Sequence, residues 1–302
     1  KSHLLIKENA SLFPLFKYNN ILLGLQEAVV GTVPDGYKWI SNMLGMRGNV
    51  INGVGKVVNF LNTKDGSAKY LREEVIFYYC FLKFSLLSDQ EYVWRYLKAS
   101  QLDIENNMLY NFLYARLSLT DNKAAQALDI LNKRNKSASY PNLPLFDYLQ
   151  GLAYFYQDDQ KCVAYLKRFI DNYKGNLYIK HAYQILSLYH FSEDNLIEAD
   201  KYRAQILIKG NDLVDADKQA LRFAKEYEAP HPKLLKVRMA MDGGFTDKAL
   251  KLIKAIDKQS VIQNPAYELE YLYRFGRIYA MMHQNQNAIA YFEQSLSKGA
   301  NR

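Results

Sequence analysis

The glycine-rich stretch GMRGNVINGVGK, residues 45–56, is the first place where residue types and spacing could support chemistry. A phosphate-binding P-loop needs Gly-x4-Gly-Lys-Ser/Thr, in which backbone amides and the lysine surround the phosphates. When the pattern is aligned on Gly55 and Lys56, Val50 occupies the position of the first glycine. Val57 occupies the position of the hydroxyl that would hold Mg²⁺. The pattern of a dinucleotide-binding loop, Gly-x-Gly-x2-Gly, also lacks its third glycine, so we expect no phosphate site here.

A packing role explains the same glycines better. On a helix, Gly45, Gly48, Asn52 and Gly55 would share one face, and such small residues let a second helix approach closely. Alternatively, Asn49 begins a new helix, with Gly48 in the turn before it. The stretch therefore predicts a close helix contact or a bend.

Other catalytic or metal-binding patterns are missing from the sequence. The histidines are His3, His181, His190, His231 and His283. No two of them form His-x3-His, and Cys-x2-Cys does not occur, so the spacing of a metal site is lacking. The nucleophile pattern Gly-x-Ser-x-Gly is lacking as well. Pairs of acids stand beside expected helix starts or turns, where the helix dipole favours them. We therefore expect no catalytic residues, no metal, no cofactor and no enzymatic activity.

The elements that would carry any site are predicted to be helices. Apolar residues recur at intervals of three and four, two-residue alternation is almost missing, and the chain has only 7 prolines. Short polar turns separate the segments. The pattern predicts an all-α fold, an α-α superhelix built from antiparallel helix pairs.

A repeat emerges most clearly in LYRFGRIYAMMHQNQNAIAYFEQSLSKGA, residues 272–300. Gly276 and Tyr279 in its first half, and Ala288 and Phe292 in its second half, match the tetratricopeptide (TPR) pattern. This segment therefore resembles a divergent TPR. Gly276 and Ala288 are small, so the two helices of the repeat can approach closely, while Tyr279 and Phe292 fill the space beside them.

Weaker copies lie upstream, and each contributes a small residue to its second helix. These anchor residues are Ala127, Cys162, Ala199, Ala249 and Ala288. The long interval between Ala199 and Ala249 leaves room for one added helix, which DADKQALRFAKEYE at 215–228 would supply. We expect a degenerate TPR array at 108–302 and an irregular helical region at 1–107 packed on the repeats.

Three further segments extend the resemblance: LGMRGNVINGVGKVV, REEVIFYYCFLKF and MAMDGGFTDKAL. Together they are similar to a family of divergent TPR proteins with a glycine-bearing N-terminal helical region. Members of that family are regarded as non-enzymatic adaptors. The resemblance implies a scaffold protein that binds a protein or peptide partner.

Partner binding is expected on the concave face, which the first helix of each pair lines in helical repeats. The residues predicted to project there are Tyr148, Leu152, Phe155, Gln184, Leu188, Arg238, Tyr273, Arg277 and Met281. This mixture of apolar, aromatic and arginine side chains is typical of peptide grooves. The alternative for several of them is burial by a neighbouring repeat.

The net charge of +8 and the pI of about 9.1 leave a second function open. A basic helical repeat could bind nucleic acid, with the aromatic clusters FYYCF (77–81) and YFYQ (154–157) as stacking platforms. Core packing is the alternative for both clusters. Because lysines and acids are interspersed, a solvated basic surface is the better explanation of the charge, and we expect protein binding to be the main function.

The lengths of the apolar runs, the two cysteines and the first residue bear on the cellular setting of the chain. The apolar runs are too short for a bilayer, which needs ~20 residues, so no membrane span is expected. Cys80 and Cys162 stand in apolar helical segments and are expected to be buried free thiols, with one disulfide as the alternative. The chain starts at Lys1 rather than at a methionine, which favours an exported or periplasmic protein with its leader removed over a cytoplasmic one.

Overall fold

A computed structural model describes residues 2–37, 47–63 and 67–299, and their regular structure is entirely helical. The helices are α1 (Ser2–Leu12), α2 (Tyr18–Gly31), α3 (Val50–Leu61), α4 (Ser67–Leu86), α5 (Gln90–Ala99), α6 (Met108–Thr120), α7 (Ala124–Lys133), α8 (Pro144–Gln157), α9 (Lys161–Asn172), α10 (Ile179–Ser192), α11 (Leu196–Ile208), α12 (Asp215–Lys225), α13 (Pro232–Asp242), α14 (Thr246–Lys254), α15 (Lys258–Ile262), α16 (Pro265–Met281) and α17 (Asn285–Gly299), with a 3₁₀ turn at Asp35–Tyr37. The expected all-α class is confirmed for these residues. None of the described helices is both long and apolar enough to cross a membrane.

The chain divides into two compact units. The first comprises Lys1–Leu117 and Arg134–Tyr140, and the second comprises Ser118–Lys133 and Pro141–Arg302. In each unit, helices that are neighbours in sequence pack against one another.

Glycines hold α2 and α3 together in the first unit. A Cβ atom on Gly24 would lie 2.7 Å from the carbonyl oxygen of Gly53, and one on Gly31 would lie 2.6 Å from the amide nitrogen of Val50. A Cβ on Gly53 or Gly48 would collide with the backbone of α2 in the same way. The two backbones are therefore in direct contact, which only residues without a side chain permit.

The glycine-rich stretch thus takes the packing role, with Asn49 as the start of a helix. The side chain of Asn49 accepts a hydrogen bond from the amide of Asn52 at 2.9 Å and caps α3. The expectation of a close contact is confirmed at Gly48 but wrong at Gly55, where a Cβ atom would meet nothing within 4 Å. Gly45 lies outside the described residues. Because Gly55 and Lys56 are inside α3, their amides serve the helix and form no phosphate loop.

Substitution of two glycines on α3 tests this contact. We expect Gly53→Ala to destabilise the protein by roughly 1–3 kcal/mol, because the added methyl overpacks the α2–α3 contact. Gly55→Ala is the matched control. It should stabilise the protein by about 0.5–1 kcal/mol, because alanine is the better helix former in open space. Urea unfolding measures both, and equal effects of the two substitutions would contradict the packing role.

The aromatic cluster FYYCF of α4 belongs in part to the core of the first unit. Tyr79 and Cys80 are buried, and the ring of Tyr79 meets that of Tyr96 edge-on at 5.3 Å between centroids. Phe77 and Phe81 stack on each other at 6.0 Å, and Phe81 reaches the surface. The core-packing alternative is confirmed for the two buried residues of the cluster.

Helix pairs form the second unit. The pairs α8–α9, α10–α11, α13–α14 and α16–α17 pack closely, and the predicted second-helix anchors are all buried. They are Ala127, Cys162, Ala199, Ala249 and Ala288. Two glycines make room for large side chains of the second helix: Gly151 lies under Leu166, and Gly276 lies under the ring of Phe292. A Cβ on either glycine would come within 2.6 Å of that side chain.

The added helix expected between Ala199 and Ala249 exists as α12. Its first turn places Asp217 in the interior, fully shielded from solvent. The carboxylate of Asp217 accepts hydrogen bonds from the amides of Tyr178 at 2.6 Å and His181 at 3.0 Å. These amides belong to the start of α10, whose first turn has no partners within its own helix. Helix α12 therefore supplies the cap of α10.

Removal of the Asp217 carboxylate should be costly. We expect Asp217→Ala to lower the free energy of unfolding by several kcal/mol, because each buried amide left without an acceptor costs about 1–3 kcal/mol. Asp215→Ala, in the same turn but exposed and paired with Lys218, serves as the control and should be nearly silent. Thermal and urea unfolding of both variants measure the difference, and a silent Asp217→Ala would refute the capping role.

Candidate functional site

A small cleft between α8, α10, α12 and α13 is the candidate functional site. Its volume is about 70 Å³. The lining residues are Phe155, Tyr156, His181, Gln184, Ile185, Leu188, Gln219, Leu235, Arg238, Met239 and Asp242. Large apolar side chains make up much of the wall, and two amides, a histidine, an arginine and a carboxylate converge on it.

Helix α8 forms the first wall and is buried along most of its length. Pro144 stands in its first turn, where a proline costs no hydrogen bond. Asp147, also near the start of the helix, is held by Arg168 of α9 in a bidentate ion pair, at 2.6 and 2.9 Å. Every residue from Phe146 to Phe155 is buried. Phe155 therefore enters the cleft from a rigid element.

Helix α10 forms the second wall, and its start is fixed by the Asp217 cap. Tyr178, just before the helix, adopts a left-handed conformation with φ of 63°, which costs a non-glycine residue about 1–2 kcal/mol. The ring of His181 is oriented by the hydroxyl of Tyr148, which lies 2.8 Å from its Nδ1 atom. One and two turns further, Gln184 and Leu188 face the cleft.

Helix α13 forms the third wall, and His231 caps its start. The Nδ1 atom of His231 accepts a hydrogen bond from the amide of Leu234 at 3.4 Å, and its Nε2 atom lies 3.5 Å from the Ser260 hydroxyl. Since Nδ1 accepts, the neutral ring carries its proton on Nε2. Pro232 follows as the first helical residue. This start sets the register that brings Arg238 and Asp242 to the cleft.

The end of α13 is held by the turns of earlier helix pairs. Gly244 has φ of 80° and lies directly against the carbonyl oxygen of Asn122, so that no side chain fits there. The amide of Ala124 donates to the carbonyl of Gly243 at 3.2 Å. Lys248 donates to the carbonyl of Gln157 at 2.7 Å.

A lysine adds an electrostatic link between the same turns. The Nζ atom of Lys236 lies 3.2 Å from Asp158, which follows α8, and 2.6 Å from Glu193, which follows α10. Its side chain is only about a quarter exposed, at 27%. Helix α13 is thus tied to the ends of both other walls of the cleft.

Inside the cleft, Arg238 and Asp242 form an ion pair across one helical turn, at 3.5 Å. Both side chains keep contact with water, at 52% and 36% exposure. A pair of this kind contributes little to folding. The Arg238 guanidinium therefore remains available to a negatively charged or carbonyl group of a bound molecule.

The structure brings four of the sequence-predicted residues together in this cleft: Phe155, Gln184, Leu188 and Arg238. It also adds residues that the repeat pattern did not indicate. These are Tyr156, His181, Ile185, Gln219, Leu235, Met239 and Asp242. Gln219 could not be found in this way, because α12 has no counterpart in the repeat. Tyr156, Ile185 and Met239 each adjoin a predicted residue in sequence, and Tyr156 also belongs to the aromatic cluster YFYQ.

The other predicted residues lie elsewhere. Tyr148 and Leu152 are buried within the packing, with only 2% and 5% exposure, so burial by a neighbouring pair explains them better than a groove. Met281 packs against the core formed by α13 to α16. Tyr273 and Arg277 lie together on α16, where the Arg277 guanidinium donates to the Tyr273 hydroxyl at 3.3 Å.

Reactive groups outside the cleft offer little chemistry among the described residues. Cys80 and Cys162 are free and buried, as expected. Burial raises the pKa of the Cys80 thiol to about 12 and also raises the pKa of Cys162, so both thiols stay protonated near neutral pH. In the described part of the chain, no group of three or more His, Cys, Asp or Glu residues could hold a metal ion.

Two recesses with larger volumes than the cleft are lined by different kinds of residues. One, beside α2 and α3, is lined by Lys17, Asn20, Lys56, Asn59, Phe60 and Thr63. Its Lys56 is already paired with Glu27 at 2.6 Å. The other is an open groove beside α15, α16 and α17. Neither gathers buried aromatic and polar groups from several helix pairs as the cleft does.

The chain matches no protein-family model, and neither the curated proteins nor the solved structures include a significant match.

The cap of α13 predicts a dependence of stability on pH. Burial lowers the pKa of His231 below its ordinary value of 6.5, Lys233 lowers it further, and Glu270 opposes the shift. The unfolded chain therefore takes up a proton before the folded protein does, so stability is lost as the pH falls below about 6.5. We expect wild-type protein to lose more stability between about pH 7.5 and about pH 5.5 than His231→Asn.

The asparagine variant is chosen because asparagine caps a helix well but does not titrate. Urea unfolding at the two pH values gives the measurement. If both proteins lose the same stability on acidification, His231 does not contribute to the pH dependence.

Proposed function

We propose that this chain is a non-enzymatic, TPR-like α-solenoid that binds a segment of a protein partner in the cleft between α8, α10, α12 and α13. The observation that carries the proposal is the convergence of Phe155, Gln184, Leu188 and Arg238 on one small cleft. They come from three helices that each begin a helix pair, where peptide-binding residues of helical repeats are found.

Equivalent packing in three helix pairs supports the TPR-like interpretation. Gly151 under Leu166 and Gly276 under Phe292 occupy corresponding positions. In the pair α10–α11, Ser187 stands at this position, and its hydroxyl donates to the carbonyl of Ala199 at 2.8 Å. A small residue in the first helix thus admits the second helix in each pair.

The size of the cleft favours a side chain of a partner over a small-molecule substrate. Pockets for small molecules usually enclose about 300–1,000 Å³, whereas the cleft has about 70 Å³. One apolar side chain of a peptide would fill it. Anchoring of a partner through a single buried side chain is a common way for an interface to gain most of its affinity.

The polar groups of the cleft fit a peptide backbone. The amides of Gln184 and Gln219 each offer a donor and an acceptor. Arg238 can bind a carbonyl or carboxylate, and Asp242 can accept a hydrogen bond from an amide of the partner. The apolar side chains of Phe155 and Leu188 would surround the inserted side chain.

Nucleic acid binding is the competing function, and the charge of the cleft argues against it. Arg238 is accompanied by Asp242 at 3.5 Å, so the cleft does not present the net positive charge that phosphates require. Basic residues outside the cleft could still contact nucleic acid, and the crosslinking experiment below distinguishes this alternative.

The proposal predicts that the partner contacts Gln184. A photo-crosslinking amino acid at Gln184 should capture the partner, which mass spectrometry then identifies, whereas the same group at exposed Gln259 should not. A crosslinked species that nuclease removes, with binding that falls steeply as salt increases, would establish the nucleic acid alternative instead. Turnover of a small substrate, lost on a single substitution in the cleft, would overturn the non-enzymatic function.

The affinity for the captured partner should then depend on Arg238. We expect Arg238→Glu to weaken binding about tenfold or more, which corresponds to roughly 1.4 kcal/mol or more, with little change in thermal unfolding. Arg95→Glu is the matched control, because Arg95 is also exposed and stands one turn from an acid, Glu91. Equal affinities of the two variants would place the binding site outside the cleft.

A further inference from the structure

Two tyrosines occupy corresponding positions in different helix pairs but have opposite environments. Tyr148 stands three residues before Gly151 on α8, and Tyr273 stands three residues before Gly276 on α16. Tyr148 is only 2% exposed, whereas Tyr273 is 40% exposed. The tyrosine at this position is therefore covered in the pair α8–α9 and exposed in the pair α16–α17.

The start of the following helix pair covers Tyr148. The ring of Tyr178 lies 4.9 Å from that of Tyr148, and the ring of His181 lies 5.9 Å from it. His181 also forms the 2.8 Å hydrogen bond with the Tyr148 hydroxyl. The end of a helix pair is thus shaped to be covered by another helical element.

The last described pair, α16–α17, leaves the same side open. Beside Tyr273 lies the ring of Phe292, at 6.0 Å between centroids. Ile289 and Leu296 share one side of α17 with Phe292 and are 56% and 72% exposed. We call the surface formed by Tyr273, Arg277, Ile289, Phe292 and Leu296 the end face.

We propose that the end face binds the end face of a second copy of this chain across a two-fold axis. An apolar stripe of this kind is complementary to itself, as an isologous contact requires. Contiguous exposed apolar surface is also a mark of an interaction site. This proposal does not depend on what the cleft binds.

Charge complementarity favours a second copy over an unrelated partner. Arg277 lies on the α16 side of the stripe, whereas Glu293, one position beyond Phe292, lies on the opposite side. Among the described residues, neither side chain takes part in an ion pair. A two-fold axis that runs along the stripe places Arg277 of each copy on the side that carries Glu293 of the other, so both edges of the contact gain an opposite charge.

Sedimentation velocity over a series of protein concentrations tests the proposal on the whole chain. We expect a dimer for the wild type and at least a roughly tenfold weaker association for Ile289→Glu, because a charge would be buried in the apolar stripe. Ile197→Glu is the matched control, because Ile197 is exposed near the start of α11, away from the end face. It should leave the dimer unchanged. A monomeric wild type, or equal association of the two variants, would overturn the proposal.

A charge swap separates a specific contact from a folding defect. Arg277→Glu should weaken the dimer, and the double variant Arg277→Glu with Glu293→Arg should restore it, because both ion pairs re-form in reversed orientation. Circular dichroism verifies that each variant is folded. A dimer that survives Arg277→Glu, or one that the double variant fails to restore, would show that the two copies do not meet in this way.

Discussion

The position of α13 depends on how closely its last turn approaches the turns of earlier helix pairs. Gly244 can adopt its left-handed conformation against the carbonyl of Asn122 only because it has no side chain. The hydrogen bond from Lys248 to Gln157 and the ion pairs of Lys236 act at the same edge of the second unit. Together they hold α13 against α8 and α10, and the cleft is the space that remains between these helices. If α13 lay farther from α8, Arg238 and Phe155 would no longer line the same cleft.

Glycines at the contacts between paired helices have a different use in each unit. In the first unit, Gly24 and Gly53 let the backbones of α2 and α3 touch directly, with no side chain between them at this point. In the second unit, Gly151 and Gly276 each lie under a large side chain, so that the glycine makes space for packing rather than for backbone contact. In the first arrangement an added atom would meet backbone, whereas in the second it would meet the side chain of Leu166 or the ring of Phe292.

The local features of the chain were predictable from the sequence because they follow from periodicity. Helical spacing placed Ala127, Cys162, Ala199, Ala249 and Ala288 in the interior, and the long interval before Ala249 indicated an added helix. The spacing of residues within one helix pair does not indicate whether another helix pair packs against it. Tyr148 and Tyr273 therefore received the same expectation, although only Tyr148 has a following pair against it. The position of Gln219 in the wall of the cleft could not be predicted either, since the sequence of α12 does not match the repeat pattern.

The cap that α12 provides for α10 also has a consequence for the order of events during synthesis. The amide of Tyr178 bonds to a carboxylate 39 residues later in the chain. At a synthesis rate of about 5–20 residues per second, Asp217 follows Tyr178 by roughly 2–8 s. Throughout that time the start of α10 has no native acceptor. The left-handed conformation of Tyr178 also has no hydrogen bond to offset its cost. The pair α8–α9 can form as it emerges, whereas α10 reaches its final state only after the ribosome has produced a segment that lies two helices further on.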